Sequence, residues 1–158
     1  MLQRVQSIYL FFASLALFAL YMVTLANNVY IGGKPTSIKI TGLFQDVNGA
    51  QQHVSSFVAL TAVLAVIALL PLAIIFLYRN RKQQVALCYS AILVILGYSF
   101  WMAQTVKNAT EEAAGVVLKS DNFGVGMFLP PLGILLIFLA IRAIKKDEAL
   151  VRSADRLR

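Results

Sequence analysis

Charge is scarce in this chain, and its distribution is uneven. Asp, Glu, Lys and Arg make up 13% of the 158 residues, and hydrophobic residues make up 59%. Soluble domains run at about 25% charged and about 45–50% apolar. A single cysteine, Cys88, excludes an intrachain disulfide framework. A zinc site takes three or four ligands. The single histidine, His53, falls in a loop at the opposite end of the predicted spans from Cys88, so the two are not expected to bind a metal together. These shortages exclude a soluble enzyme, a disordered chain and a disulfide scaffold. What remains is one polytopic membrane domain covering residues 1–158.

Four long apolar runs carry no Asp, Glu, Lys, Arg or His: about 5–26, 56–78, 85–106 and 123–141. A backbone crossing hydrocarbon must pair its own N–H and C=O groups, so such runs read as membrane helices. The expected fold class is therefore an all-α polytopic membrane protein with four transmembrane helices. Exterior loops fall at 27–55 and 107–122, and a cytoplasmic tail at 142–158. Arg4 and Thr24-Leu25-Ala26 offer a minimal signal-peptide pattern. The run behind them, however, is longer than the about 7–15 residues of a signal core.

The basic residues orient this arrangement. One side holds Arg4, Arg79, Arg81, Lys82, Arg142, Lys145, Lys146, Arg152, Arg156 and Arg158, against the acids Asp147, Glu148 and Asp155. The other side holds Lys34, Lys39, Lys107 and Lys119 against Asp46, Glu111, Glu112 and Asp121. The whole net charge of +7 thus falls on the first side. Positive residues stay in the cytoplasm, which predicts a membrane protein with both termini cytoplasmic. Arg79, Arg81, Lys82, Arg142, Lys145, Lys146, Arg152, Arg156 and Arg158 are the candidate contacts for lipid headgroups or a partner. Because this charge clusters at span ends, nucleic acid is not an expected ligand.

In the first exterior loop, Val29-Tyr30-Ile31 and Ser37-Ile38-Lys39-Ile40-Thr41 read as short strands around Gly32-Gly33. Gly42 is expected to end the second strand, and Asn48-Gly49 to mark a turn. Val116-Val117-Leu118 is expected to join them in a small extracytoplasmic sheet drawn from both loops. The short turn before Val85 predicts antiparallel neighbours. The tail, free of Gly and Pro, predicts an amphipathic cytoplasmic helix continuing the last span.

Chemistry is hard to find. Ionisable residues inside a membrane mark relays and ion paths, and these runs have none. His53 and Asp46 share a loop without an oxyanion donor, and Gly124-x-Gly126 lacks the context of a phosphate loop. Pro71 and Pro130-Pro131 predict kinks. No catalytic, metal or cofactor residue is assigned, and no enzyme activity is expected.

The opening Met1-Leu2-Gln3-Arg4-Val5-Gln6-Ser7-Ile8-Tyr9-Leu10, the central stretch Phe76 to Cys88, Phe128-Leu129-Pro130 and the closing stretch Arg142 to Arg158 carry a family resemblance. They resemble the Bacteroidota domain of unknown function 4293 family, which implies a small four-helix inner-membrane protein and carries over no catalytic residue. The Gly42-Leu43-Phe44 stretch is similar to the Gly-Leu-Trp of claudin-like proteins, without their cysteine pair. That likeness implies an exterior sheet only. The functional expectation is a non-enzymatic scaffold or accessory subunit of a membrane complex. The alternative is a small transporter, channel or lipid-handling protein. Expected partners are membrane lipids and a protein met through the exterior loops or the tail; the oligomeric state stays open.

Overall fold

The computed structural model describes residues 3–31, 33–47, 50–77, 80–114 and 122–156. Four helices and four strands follow one another: α1 Gln3–Ala19, β1 Thr24–Ile31, β2 Lys34–Lys39, β3 Gly42–Val47, β4 Ala50–Ser56, α2 Val58–Phe76, α3 Arg81–Ala114 and α4 Leu129–Arg156. A 3-10 turn, Val125–Phe128, leads into α4. The strands form one antiparallel sheet in the order β1-β2-β3-β4.

This corrects the all-α, four-span expectation. Three helices are long and apolar enough to cross a membrane, over Val58–Phe76, Arg81–Glu111 and Val125–Val151; the apolar helix Val5–Ala19 is shorter. The run at 5–26 divides between two kinds of structure. Its helix ends at Ala19, where Leu20 N donates to Leu17 O at 3.2 Å and Tyr21 N to Phe18 O at 3.1 Å, tightening the last turn. Thr24, Leu25 and Ala26 then enter β1, and the last two are fully buried. A strand buried on the core is as apolar as the helix before it, so hydropathy runs through the boundary without a mark.

The helices run antiparallel to their neighbours. Ser14 Oγ donates to Ala68 O and Tyr21 Oη to Thr61 O, each at 2.7 Å, so rising numbers in α1 meet falling numbers in α2. Tyr98 Oη reaches Leu60 O at 3.1 Å and Gln84 Nε2 reaches Ile74 O at 3.2 Å, fixing α3 against α2. Arg81 meets Asp147 at 2.8 Å, fixing α4 against α3. The start of α1, the α2–α3 turn and the later part of α4 therefore share one end of the bundle. Leu10, Leu17, Leu64, Ile95 and Ile137 fill the centre and are fully buried. Ser14 supports α2 near Pro71, whose missing N–H leaves that stretch short of one backbone bond.

At the other end lies the sheet. Two-residue connections join its strands, with Ile31 paired to Lys34, Lys39 to Gly42 and Val47 to Ala50. Gly42 opens β3 rather than closing the strand before it. It sits at φ 150°, where a Cβ would be driven into the Ser55 carbonyl. The inner face of Ala26, Val29, Thr36, Ile38 and Leu43 is buried, whereas every residue of β4 is exposed.

Among the described residues, the segment after the second polar loop adds an edge contact and no further strand. Phe123 forms an isolated antiparallel bridge with Ala26, and Gly124 N donates to Leu25 O at 2.8 Å. Val116-Val117-Leu118 lies outside the described residues. α3 runs to Ala114, well past its expected end, and at about 1.5 Å per residue is about 50 Å long. α4 continues from the apolar run into the tail without a break, to Arg156.

Candidate functional site

Polar side chains gather at both ends of the bundle. At the end away from the sheet, α3 begins with Arg81 and Lys82 beside the later part of α4. The Arg81 guanidinium pairs with Asp147, both partly shielded. Lys145 Nζ donates to Tyr89 Oη at 3.1 Å and lies 5.5 Å from the centre of that ring. Asn80 Nδ2 donates to Gln83 Oε1 at 3.1 Å. Asn80, Arg81, Lys82, Gln83 and Glu148 line an open cavity of about 470 Å³. Gln84, fully buried, holds the turn through Ile74 O, while its Oε1 has no partner among the described residues.

The expected headgroup residues are thus partly brought together. Arg81, Lys82 and Lys145 lie on neighbouring turns of α3 and α4. Arg142 and Lys146 are exposed on α4. Arg152 and Arg156 extend the same helix, their side chains outside the described residues, as are Arg79 and Arg158 altogether. Asp147 neutralises Arg81, so the surface is less cationic than its residue list. No signal in the sequence pairs those two residues, which are far apart along the chain.

A polar layer separates the helices from the sheet. Thr61 Oγ1 contacts Ile40 O at 3.0 Å and Phe57 O at 2.8 Å, while Tyr21 and Tyr98 donate to the backbone of α2. Burial pushes the Tyr21 phenol above its ordinary pKa. The Thr61–Ile40 bond fastens the sheet to the bundle, the tyrosine bonds hold α2 against its neighbours, and all are structural.

The outer face of the sheet carries the other group. Register puts Tyr30 beside Pro35, Ser37 beside Phe44, Phe44 beside His53 and Asp46 beside Gln51. Phe44 and His53 stack with ring centres 4.8 Å apart, and Lys39 Nζ sits 5.0 Å from the Phe44 ring centre. Next to this row lies a hollow of about 360 Å³, walled by Asn27, Asn28, Pro35, Ser37, Asp46 and Gln51 among others. Sequence reasoning did not single it out. Its one local signal is the Asn27-Asn28 pair at the end of an apolar run. Cys88 is buried in α3, and among the described residues no three His, Cys, Asp or Glu side chains come together as metal ligands.

A family model described as Domain of unknown function (DUF4293) matches residues 2–157. The chain belongs to this family. The match takes in both the helices and the sheet, so the two form one family unit. No curated protein matches the chain.

Proposed function

We propose that this chain is an integral membrane scaffold or accessory subunit without catalytic activity, holding its sheet on the outside as a platform for a protein partner. Large apolar side chains along the three span-length helices support membrane residence. Val66, Leu93, Phe100 and Leu135 are all more than half exposed, as lipid-facing groups are. The positive-inside rule sets the end bearing Arg81, Lys82, Arg142, Lys145 and Lys146 in the bacterial cytoplasm, against anionic headgroups. α1 lies alongside the three spans as a shorter helix.

The observation that carries the platform reading is β4. It is an outer strand, exposed along its whole length, and it carries no charge and no proline. Natural proteins guard such edges with charge, proline, bulges or cover, because an open edge invites another strand. Here β1 is covered by residues 122–124, while among the described residues β4 has only the register shift near Leu43 and Phe44. A partner strand added to β4 would bind through its main chain. The filled aliphatic centre of the bundle favours this reading over a transporter, channel or lipid-handling protein.

Photo-crosslinkers at Lys39 and Arg152 in native membranes test it. The expected result is a reproducible protein neighbour at position 39, lost when Gln52→Lys and Val54→Lys place charge on the edge. Recovery of the chain as a lone species from both positions overturns the reading.

A further inference from the structure

Asn28 is the only non-glycine residue with positive φ among the described residues, at 56°. It sits where the pairing of β1 with β2 slips between Ala26 and Val29. Bulges of this kind redirect side chains, and backbone held in a sparsely populated region clusters at binding sites. Both statements bear on this place because the residues of the slip, Asn27 and Asn28, form one wall of the hollow on the outer face. The conformation is held from outside the sheet: Asn122 Nδ2 donates to Asn27 O at 3.2 Å and to Asn28 O at 2.9 Å. The second loop thus braces a distorted strand against the cavity it lines.

The chemistry of the wall selects a ligand class. The Asn28 and Gln51 amides each both donate and accept, as sugar hydroxyls do. Asn27 Nδ2 donates to Thr24 Oγ1 and Ser37 Oγ to Phe44 O, which leaves the side-chain oxygens of these two as acceptors. Among the described residues no Lys or Arg lines the hollow, and Lys39 on the same face is held over the Phe44 ring. Those residues offer a phosphate or carboxylate no counter-charge, and a divalent metal one carboxylate, Asp46, which already has a partner. Exposed ring surface borders the hollow on the same face: Tyr30, 61% exposed, beside Pro35. Rings of this kind pack against the apolar faces of a pyranose. The volume of about 360 Å³ falls at the small end of the about 300–1,000 Å³ typical of ligand sites. We propose that this hollow is a binding site for a neutral saccharide, read by Asn28 and Gln51 and bordered by Tyr30. The proposal goes beyond the scaffold reading and does not depend on it.

The full chain in phospholipid nanodiscs, free of sugar-headed detergent, is exposed to an array of neutral oligosaccharides built from hexose and N-acetylhexosamine units. The strongest hit is then titrated by saturation-transfer NMR. Saturable binding is expected, weakened at least tenfold by Asn28→Gly with Gln51→Ala and several-fold by Tyr30→Ala. Asn28→Gly keeps the left-handed backbone accessible, and Gln51 and Tyr30 are exposed, so unchanged thermal melting is expected alongside the loss. No saturable hit, hits confined to acidic glycans, or unchanged affinity in the double variant each overturn the proposal. Partner crosslinking at position 39 is read separately, so failure here leaves the scaffold reading intact.

Discussion

Asn122 and Asn28, 94 positions apart in sequence, are joined by a 2.9 Å hydrogen bond from the Asn122 amide to the Asn28 carbonyl. The same amide also reaches Asn27 O. Asn122→Ala removes the donor and leaves both carbonyls to water, at an expected cost of about 1–2 kcal/mol. Thermal melting of the detergent-solubilised protein should fall by a few degrees, and hydrogen exchange should quicken around residues 26–29. Unchanged exchange there would mean that the slip in β1 holds itself.

Two glycines are expected to resist substitution and a third to accept it. Gly42→Ala forces a side chain onto a backbone at φ 150° and into the Ser55 carbonyl, while Gly124→Ala meets the Thr24 carbonyl. The first should cost at least about 1–3 kcal/mol, the usual range for backbone strain, and the second about 1–3 kcal/mol through steric overpacking alone. Gly97, inside α3, has open space around its Cβ position, and Gly97→Ala should be neutral or stabilising by up to about 1 kcal/mol. Melting curves of the three variants side by side check the ordering.

Ser14→Ala and Tyr98→Phe each remove one inter-helix hydrogen bond, to Ala68 O and Leu60 O. Such bonds between membrane helices average about 0.6 kcal/mol and reach about 1.7 kcal/mol. Losses in that range are expected in reversible unfolding measured in mixed micelles. Near Pro71, Ser14 should stand at the upper end.

Asp147→Asn separates two effects at the basic end. The Arg81–Asp147 pair is partly exposed, with side-chain exposures of 28% and 15%, so its loss should lower stability by no more than about 1 kcal/mol. The freed guanidinium should meanwhile tighten association with anionic lipid, by about 1 kcal/mol for one more cation near the surface. Lipid exchange between phosphatidylserine and phosphatidylcholine, followed by native mass spectrometry, reads the second effect. Unchanged lipid preference would mean that Arg81 does not face the headgroups.

The sequence was informative where one physical signal acted alone. The runs at 56–78, 85–106 and 123–141 each contain a helix because Val58–Phe76 and its counterparts show a long apolar face on most sides. Gly33 and Gly42 marked real turns, although Gly42 begins a strand. The signal failed where two structures share one composition. Leu25 and Ala26 are as apolar as Leu15 and Ala16, and only the tightened turn after Ala19 sends them into a sheet. β3 and β4 were missed because Gln45, Asp46, Gln51 and Gln52 lack the apolar alternation of a half-buried strand, and β4 buries neither face. Neither Asn122 with Asn28 nor Arg81 with Asp147 leaves a local trace, since each pair is assembled by the fold.

The sheet is joined to the bundle with almost no slack. Residues 20–23 alone separate α1 from β1, and Phe57 alone separates β4 from α2. A pull on the outer strand is therefore delivered as torque to the helix that follows it. The sheet and the helices beneath it turn together, so a load on one can be felt at the far end of the bundle.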